Sequence, residues 1–262
     1  MKKTYITGIL TILFFIGACL VSAASAAGVP VKLHVEPNAI HIGATYNGID
    51  ITVTGEVPDG TDAVIRLMAK GEHIKLKKKG KALGLLWMNM DTIELHDCPS
   101  IFMVAVPKSL SPSTEEAKKN WENLALGFKA LEKQVEITPE QKDKPAVFKE
   151  FIKLKKKEGK YLTYYDSVKY STAKDVRKFS ATLAMPSGIV AGEYRVQAFA
   201  VRDGAVAGSA ETSIKVSQVG LPAMLSNLAF NHSLLYGIMA VIVAIFAGLI
   251  TGVLFKGGKG AH

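Results

Sequence analysis

Apolar and polar residues alternate with a period of two over several short runs, the pattern of half-buried β-strands. Val31, Leu33 and Val35 share one side, Lys32 and His34 take the other, and Pro37 stops the run. Ile49, Ile51 and Val53 repeat the pattern before a Pro58-Asp59-Gly60 turn, and a strand over residues 63–68 follows. Ile74 and Leu76 alternate with Lys75 and Lys77, and residues 78–81 read as a charged turn. Further strands are expected at 84–90, 92–96 and 101–106. The C-terminal part returns to the same period with Phe179, Ala181, Leu183 and Met185, then with Tyr194, Val196 and Ala198. Arg202-Asp203-Gly204 signals a hairpin, and the return strand ends in Ile214 and Val216. Strands about 8–12 residues apart predict a sandwich or barrel. The Gly192-x-Tyr194-x-Val196 strand and its hairpin favour an immunoglobulin-like β-sandwich, with the tyrosine at a corner.

The middle of the chain has the period of a helix. Ala117, Trp121, Leu124, Phe128, Leu131 and Val135 recur at alternating spacings of four and three, and Ser113 with Glu116 forms a capping box ahead of them. A second helix is expected from Pro145, with Phe148, Phe151, Ile152 and Leu154 on its apolar side and Gly159 at its end. These helices predict a hairpin inserted at about residues 113–158. The fold class is therefore mainly β with an α insertion.

Both ends are apolar for a different reason. Lys2 and Lys3 precede an uncharged run from Ile6 to Leu20 and then small residues, so residues 1–26 read as a secretory signal. The A-x-A site at Ala24-Ser25-Ala26 predicts Ala27 as the mature N-terminus. Ile16-Gly17-Ala18-Cys19 offers a rival lipoprotein signal that would leave Cys19 lipidated, and a retained anchor helix is a third reading. The stretch after Cys19 stays apolar instead of becoming a polar tether, which favours Ala27. Ser233 to Phe255 carries no charge over 23 residues. Such a helix is about 34 Å long, enough for a hydrocarbon core of roughly 30 Å. Lys256 and Lys259 follow directly, and the positive-inside rule puts residues 256–262 in the cytoplasm. That leaves residues 27–218 as a periplasmic domain and 219–232 as a juxtamembrane linker, in a single-pass protein of the inner membrane. Gly237, Gly248 and Gly252 share one side of the span and are candidate contacts for a partner helix or a second copy.

Composition narrows the chemistry. The 262 residues are 48% hydrophobic and carry a net charge of +9, which falls to +7 when Lys2 and Lys3 leave with the signal. Two cysteines exclude a disulfide-rich scaffold, a four-cysteine zinc site and a CxxCH haem attachment. GxSxG, HExxH, GxGxxG and phosphate-loop motifs are all absent, so neither an enzyme nor a cofactor is expected. Residues 70–81 hold six lysines and one glutamate, and 149–160 hold six lysines and two glutamates. Export argues against nucleic acid as their partner. A solvated face, anionic lipid headgroups or a small oxyanion ligand remain. Met88, Met90, His96, Cys98 and Met103 fall within 16 residues and offer soft ligands of the kind that suit Cu(I) in a periplasmic metal or thiol carrier. The opposing reading has the methionines filling a core and Cys98 as a small buried residue. Trp87 is expected to anchor the sandwich core, with Asn89 satisfying a turn or backbone group. The pair is also a candidate partner contact.

Several of these segments together resemble a known family. Gly84-Leu-Leu-Trp-Met-Asn89, Cys98-Pro-Ser-Ile-Phe-Met-Val-Ala105, Gly192-Glu-Tyr-Arg-Val196, Arg202-Asp-Gly204 and Leu234-Leu-Tyr-Gly237 occur in that order. In this the chain resembles the proteobacterial transmembrane family Alph_Pro_TM, over nearly the whole mature chain. A cysteine at position 98 departs from the expected family pattern. The resemblance implies an exported domain with one C-terminal span and no established activity. Its genes tend to neighbour those of sulfite-exporter-type permeases. It therefore implies a non-catalytic accessory or assembly protein for an inner-membrane partner, with such a permease as the named candidate.

Overall fold

The computed structural model describes residues 29–82, 85–140, 143–173 and 176–255. The expected signal segment and the lysine-bearing C-terminal tail lie outside them. Among the described residues thirteen strands and five α-helices follow one another, and the strands form three sheets. β1 (Lys32–Glu36), β3 (Ile49–Pro58), β11 (Val176–Met185) and β10 (Lys169–Ala173) make a four-stranded antiparallel sheet in the order β1-β3-β11-β10. β2 (Ala39–Ile42), β13 (Ala205–Gln218), β12 (Gly192–Arg202), β4 (Asp62–Ala69), β7 (Phe102–Val106) and β9 (Tyr161–Tyr165) make a six-stranded one in that order. The two edge strands, β2 and β9, pair in parallel with their neighbours β13 and β7. Mainly β with a helical insertion is the fold the chain adopts.

The two sheets pack face to face through the apolar row that each turns inward. Val53, Phe179, Ala181 and Leu183 of one sheet meet Leu67, Tyr194, Val196 and Ile214 of the other in a single buried core. Phe179 lies opposite Gly55 across the ladder, and its ring covers the glycine. A methyl group on Gly55 would strike that ring and the Lys32 carbonyl, so the position requires glycine. Tyr194 is buried, and its hydroxyl donates to the Val190 carbonyl at 2.8 Å, closing the turn before β12. The Arg202-Asp203-Gly204 turn forms as expected, with φ of 50° at Asp203 and 74° at Gly204.

A second core covers the outer face of the six-stranded sheet. Val64, Met68, Phe102, Val104 and Phe199 are buried there beneath α1 (Glu115–Leu124), α2 (Phe128–Gln134) and α3 (Lys144–Lys157). The apolar stripe from Ala117 to Val135, expected as one helix, is cut in two. Ala125 takes a left-handed conformation (φ 51°), and α2 restarts at Gly127, over which the Trp121 indole packs so closely that a Cβ would lie 3.2 Å from it. The first cap is also displaced: Thr114, and not Ser113, accepts from the Ala117 amide at 3.1 Å. α3 begins as expected, with Asp143 capping the Ala146 amide at 3.0 Å and proline in the first turn. α2, α3 and the sheet converge on Tyr161. Its ring lies 5.6 Å from Phe151, edge-on, and 6.0 Å from Phe102, and its hydroxyl donates to the Pro99 carbonyl at 2.6 Å.

The third sheet departs most from the sequence reading. β5 (Gly71–Ala82) and β6 (Leu86–Pro99) form one long antiparallel hairpin, joined at its root by the short β8 (Glu136–Thr138). The strands expected at 84–90 and 92–96 are thus, from Leu86 on, one strand, and residues 78–81 continue β5 instead of turning. Ile93 and Leu95 still alternate into the second core, but toward the tip the two strands have no buried face to enforce alternation, so the lysines sit in the ladder with their ammonium groups in water.

The expected linker is also structured. Residues Gly220–Asn231 form α4, which contacts the apolar helix α5 (Ser233–Phe255). Among the described residues, α5 is the helix long and apolar enough to cross a membrane, and none of it is buried. Tyr194 at the start of β12 lies opposite Ala69 at the end of β4 and opposite Ile214 near the end of β13. β4 therefore hands the chain to the hairpin at the same end of the sandwich where β13 hands it to the membrane helix.

Candidate functional site

The hairpin places apolar side chains where no described residue covers them. Beyond β8, which reaches only Glu94, Leu95 and His96, the ribbon has two strands and, among the described residues, no third. Leu85, Leu86 and Trp87 at its tip are 84%, 71% and 69% exposed, and Met88 and Met90 are more than half exposed. Between residues 74 and 90 the hairpin carries five lysines and no acid. Lys81 holds its ammonium 5.5 Å from the Trp87 ring centroid, a cation–π contact that keeps the indole presented at the surface. An apolar cap ringed by cations is the composition of a contact surface, since a monomer gains nothing by leaving such groups in water.

Trp87 is therefore not the core anchor the sequence suggested. The run from Leu85 to Met90 reads as a strand, but its residues are apolar without alternation, which here reflects a ribbon tip exposed on both faces. Asn89 is exposed in the same strand opposite Lys79. Below the tip, Leu76, Ile93, Val147, Phe151 and Leu154 line a groove of about 850 Å³ between the hairpin and α3.

The five soft-ligand candidates do not meet. Met88 and Met90 are at the tip, Met103 is buried between the two large sheets, and Cys98 is buried in the second core. His96 and Cys98 are two apart, the spacing that puts strand residues on one face, but Asp97 between them has a φ of 56°. That bulge turns the Cys98 sulfur inward while His96 stays at the surface. Burial pushes the Cys98 thiol up to about 12, so the free thiol is protonated at neutral pH.

The bulge also brings together a group that sequence reading missed. His73 Nε2 lies 3.0 Å from Glu94 Oε2, and the His73 and His96 rings stack with centroids 4.2 Å apart. His73, Glu94 and His96 each offer a ligand atom within 4.8 Å of the others. Lys75 Nζ holds the other Glu94 oxygen at 2.8 Å, and its hydrogen bond keeps that carboxyl below the usual range. Thr138 Oγ1 lies 3.0 Å from His96 Nε2. The alternation Glu94-x-His96 was visible in the sequence. The register that sets His73 beside them was not.

In the membrane helix, Gly237, Gly248 and Gly252 have open space where a Cβ would stand. They leave a shallow strip along α5 that nothing among the described residues fills. A family model described as "Putative transmembrane protein (Alph_Pro_TM)" matches residues 30–257. No curated protein matches the chain.

Proposed function

Because the chain belongs to the Alph_Pro_TM family of transmembrane proteins, we propose that it is a membrane-anchored accessory subunit without chemistry of its own. It holds a periplasmic sandwich domain against an integral membrane partner of the inner membrane. The observation that carries this reading is the uncovered apolar tip of the hairpin at Leu85, Leu86 and Trp87. A large aromatic between two leucines and five lysines fits a partner that offers an apolar pocket within an acidic exported face. The sandwich itself reads as immunoglobulin-like. The order β1-β3-β11-β10 corresponds to the A-B-E-D sheet, β13-β12-β4 to G-F-C, and Tyr194 to the tyrosine corner.

Geometry supports the anchoring. The hairpin and the membrane helix leave the same end of the sandwich, so the tether holds the root of the hairpin near the bilayer. Residues 216–255 contain no Asp, Glu, Lys or Arg, and α4 exposes Leu221, Met224, Leu225 and Phe230. Such a helix suits the headgroup region, lying along the membrane before α5 crosses it. A reporter fused after His262 should therefore be active only in its cytoplasmic form, and an active periplasmic phosphatase there would refute the orientation.

The partner class named for testing is a sulfite-exporter-type permease. Purified from membranes in mild detergent, the full chain should bring down an integral membrane protein identified by mass spectrometry. Recovery of the chain alone would refute the subunit reading. Gly248→Leu with Gly252→Leu keeps the span apolar and removes the strip on α5, so recovery should fall severalfold if helix packing adds to the contact. Unchanged recovery would assign the whole contact to the periplasmic domain.

A further inference from the structure

We propose that His73, Glu94 and His96 form a Zn²⁺ site that staples the root of the hairpin. Two imidazoles and a carboxylate are borderline ligands that fit zinc and leave its fourth tetrahedral position to water. In a tetrahedral site with bonds of about 2.0–2.1 Å, ligand atoms stand about 3.3 Å apart. The three ligand atoms already lie within 4.8 Å of one another, so small side-chain rotations close the site. The hydrogen bonds around it leave the needed atoms available. Lys75 occupies Glu94 Oε1, and Oε2 faces His73. Thr138 fixes the rotation of the His96 ring. Such outer partners orient metal ligands and hold them ready. Glu136 lies directly opposite His96 in the register with β8, on the same face of the sheet, and is exposed. It provides a further acid at the rim that offsets the Lys75 charge.

The position gives the ion a task. The ladder between β5 and β6 is interrupted between Glu72 and Ile74, and His73 sits in that interruption. The β5–β6 ladder is therefore irregular where the hairpin leaves the body of the protein. An ion bound to His73 of β5 and to Glu94 and His96 of β6 would cross-link the two strands at that irregularity. It would also fix the angle at which the tip is presented.

The test is calorimetric titration of the full chain in detergent with ZnCl₂, the protein being purified without a histidine tag. One Zn²⁺ per chain is expected, with His73→Ala and His96→Ala each weakening binding by roughly tenfold or more. His34→Ala, on β1, should leave it unchanged, and MgCl₂ should not compete. Hydrogen exchange of residues 71–76 and 93–98 should slow on adding Zn²⁺, and His73→Ala should abolish that slowing. His73 is exposed, so its replacement leaves the fold intact, which an unchanged thermal transition without metal verifies. No saturable binding, or binding indifferent to His73→Ala and His96→Ala, would overturn the site.

Discussion

Tyr161→Ala is expected to destabilise the sandwich domain by about 3–5 kcal/mol, the range for deleting a large buried ring. In a domain of this size that lowers the midpoint of thermal unfolding by roughly 10 °C, read by circular dichroism. Three features make the effect large. The side chain is fully buried, its ring bridges Phe102 of the sheet with Phe151 of α3, and its hydroxyl satisfies the Pro99 carbonyl where the hairpin returns. The loss therefore falls at the joint between sandwich, helices and hairpin. Tyr161→Phe retains the ring and removes only the hydrogen bond, so it should cost about 1–3 kcal/mol. A loss below 1 kcal/mol for the alanine variant would mean that the helical layer is not docked on the sheet as described.

Leu86→Ser combined with Trp87→Ser is expected to abolish partner recovery while leaving the protein folded. Both side chains are exposed and touch no core, so the thermal transition should stay within about 0.5 kcal/mol of the parent. A tryptophan at the centre of an interface is commonly worth 2 kcal/mol or more, which is roughly thirtyfold in affinity. The fall in co-purified partner should therefore exceed tenfold. Lys77→Glu with Lys79→Glu should act more weakly and mainly at low salt, because rim charges steer association more than they hold it. An equal loss of stability and recovery in the serine variant would mean that the tip belongs to the fold.

The sandwich was legible because burial on one face imposes strict alternation. Phe179 to Met185 and Tyr194 to Ala198 are buried in the order their period implies. The parallel edge strands β2 and β9 were not legible, because each is short and its partner lies far away in sequence. The helix break at Ala125 hides behind an uninterrupted apolar stripe, since the cause is a tertiary contact of Trp121 with Gly127. At the candidate site the misreading has one source. Period arguments assume a buried face, and on β6 that face ends at Ile93, short of the projecting tip. Trp87 was thus assigned to a core that the hairpin tip does not have. His96 was grouped with Cys98, because a positive φ at Asp97 leaves no mark in the pattern of polar and apolar residues.

The central claim is that the hairpin tip touches an integral membrane partner. Site-specific photo-crosslinking in intact cells tests it most directly, with a photoreactive phenylalanine at position 87 and, as a control, at position 34 on the exposed face of β1. The account predicts a discrete adduct from position 87 with an integral membrane protein, identified by mass spectrometry, and none from position 34. Adducts from position 87 that contain only lipid, or the same yield from both positions, would contradict it.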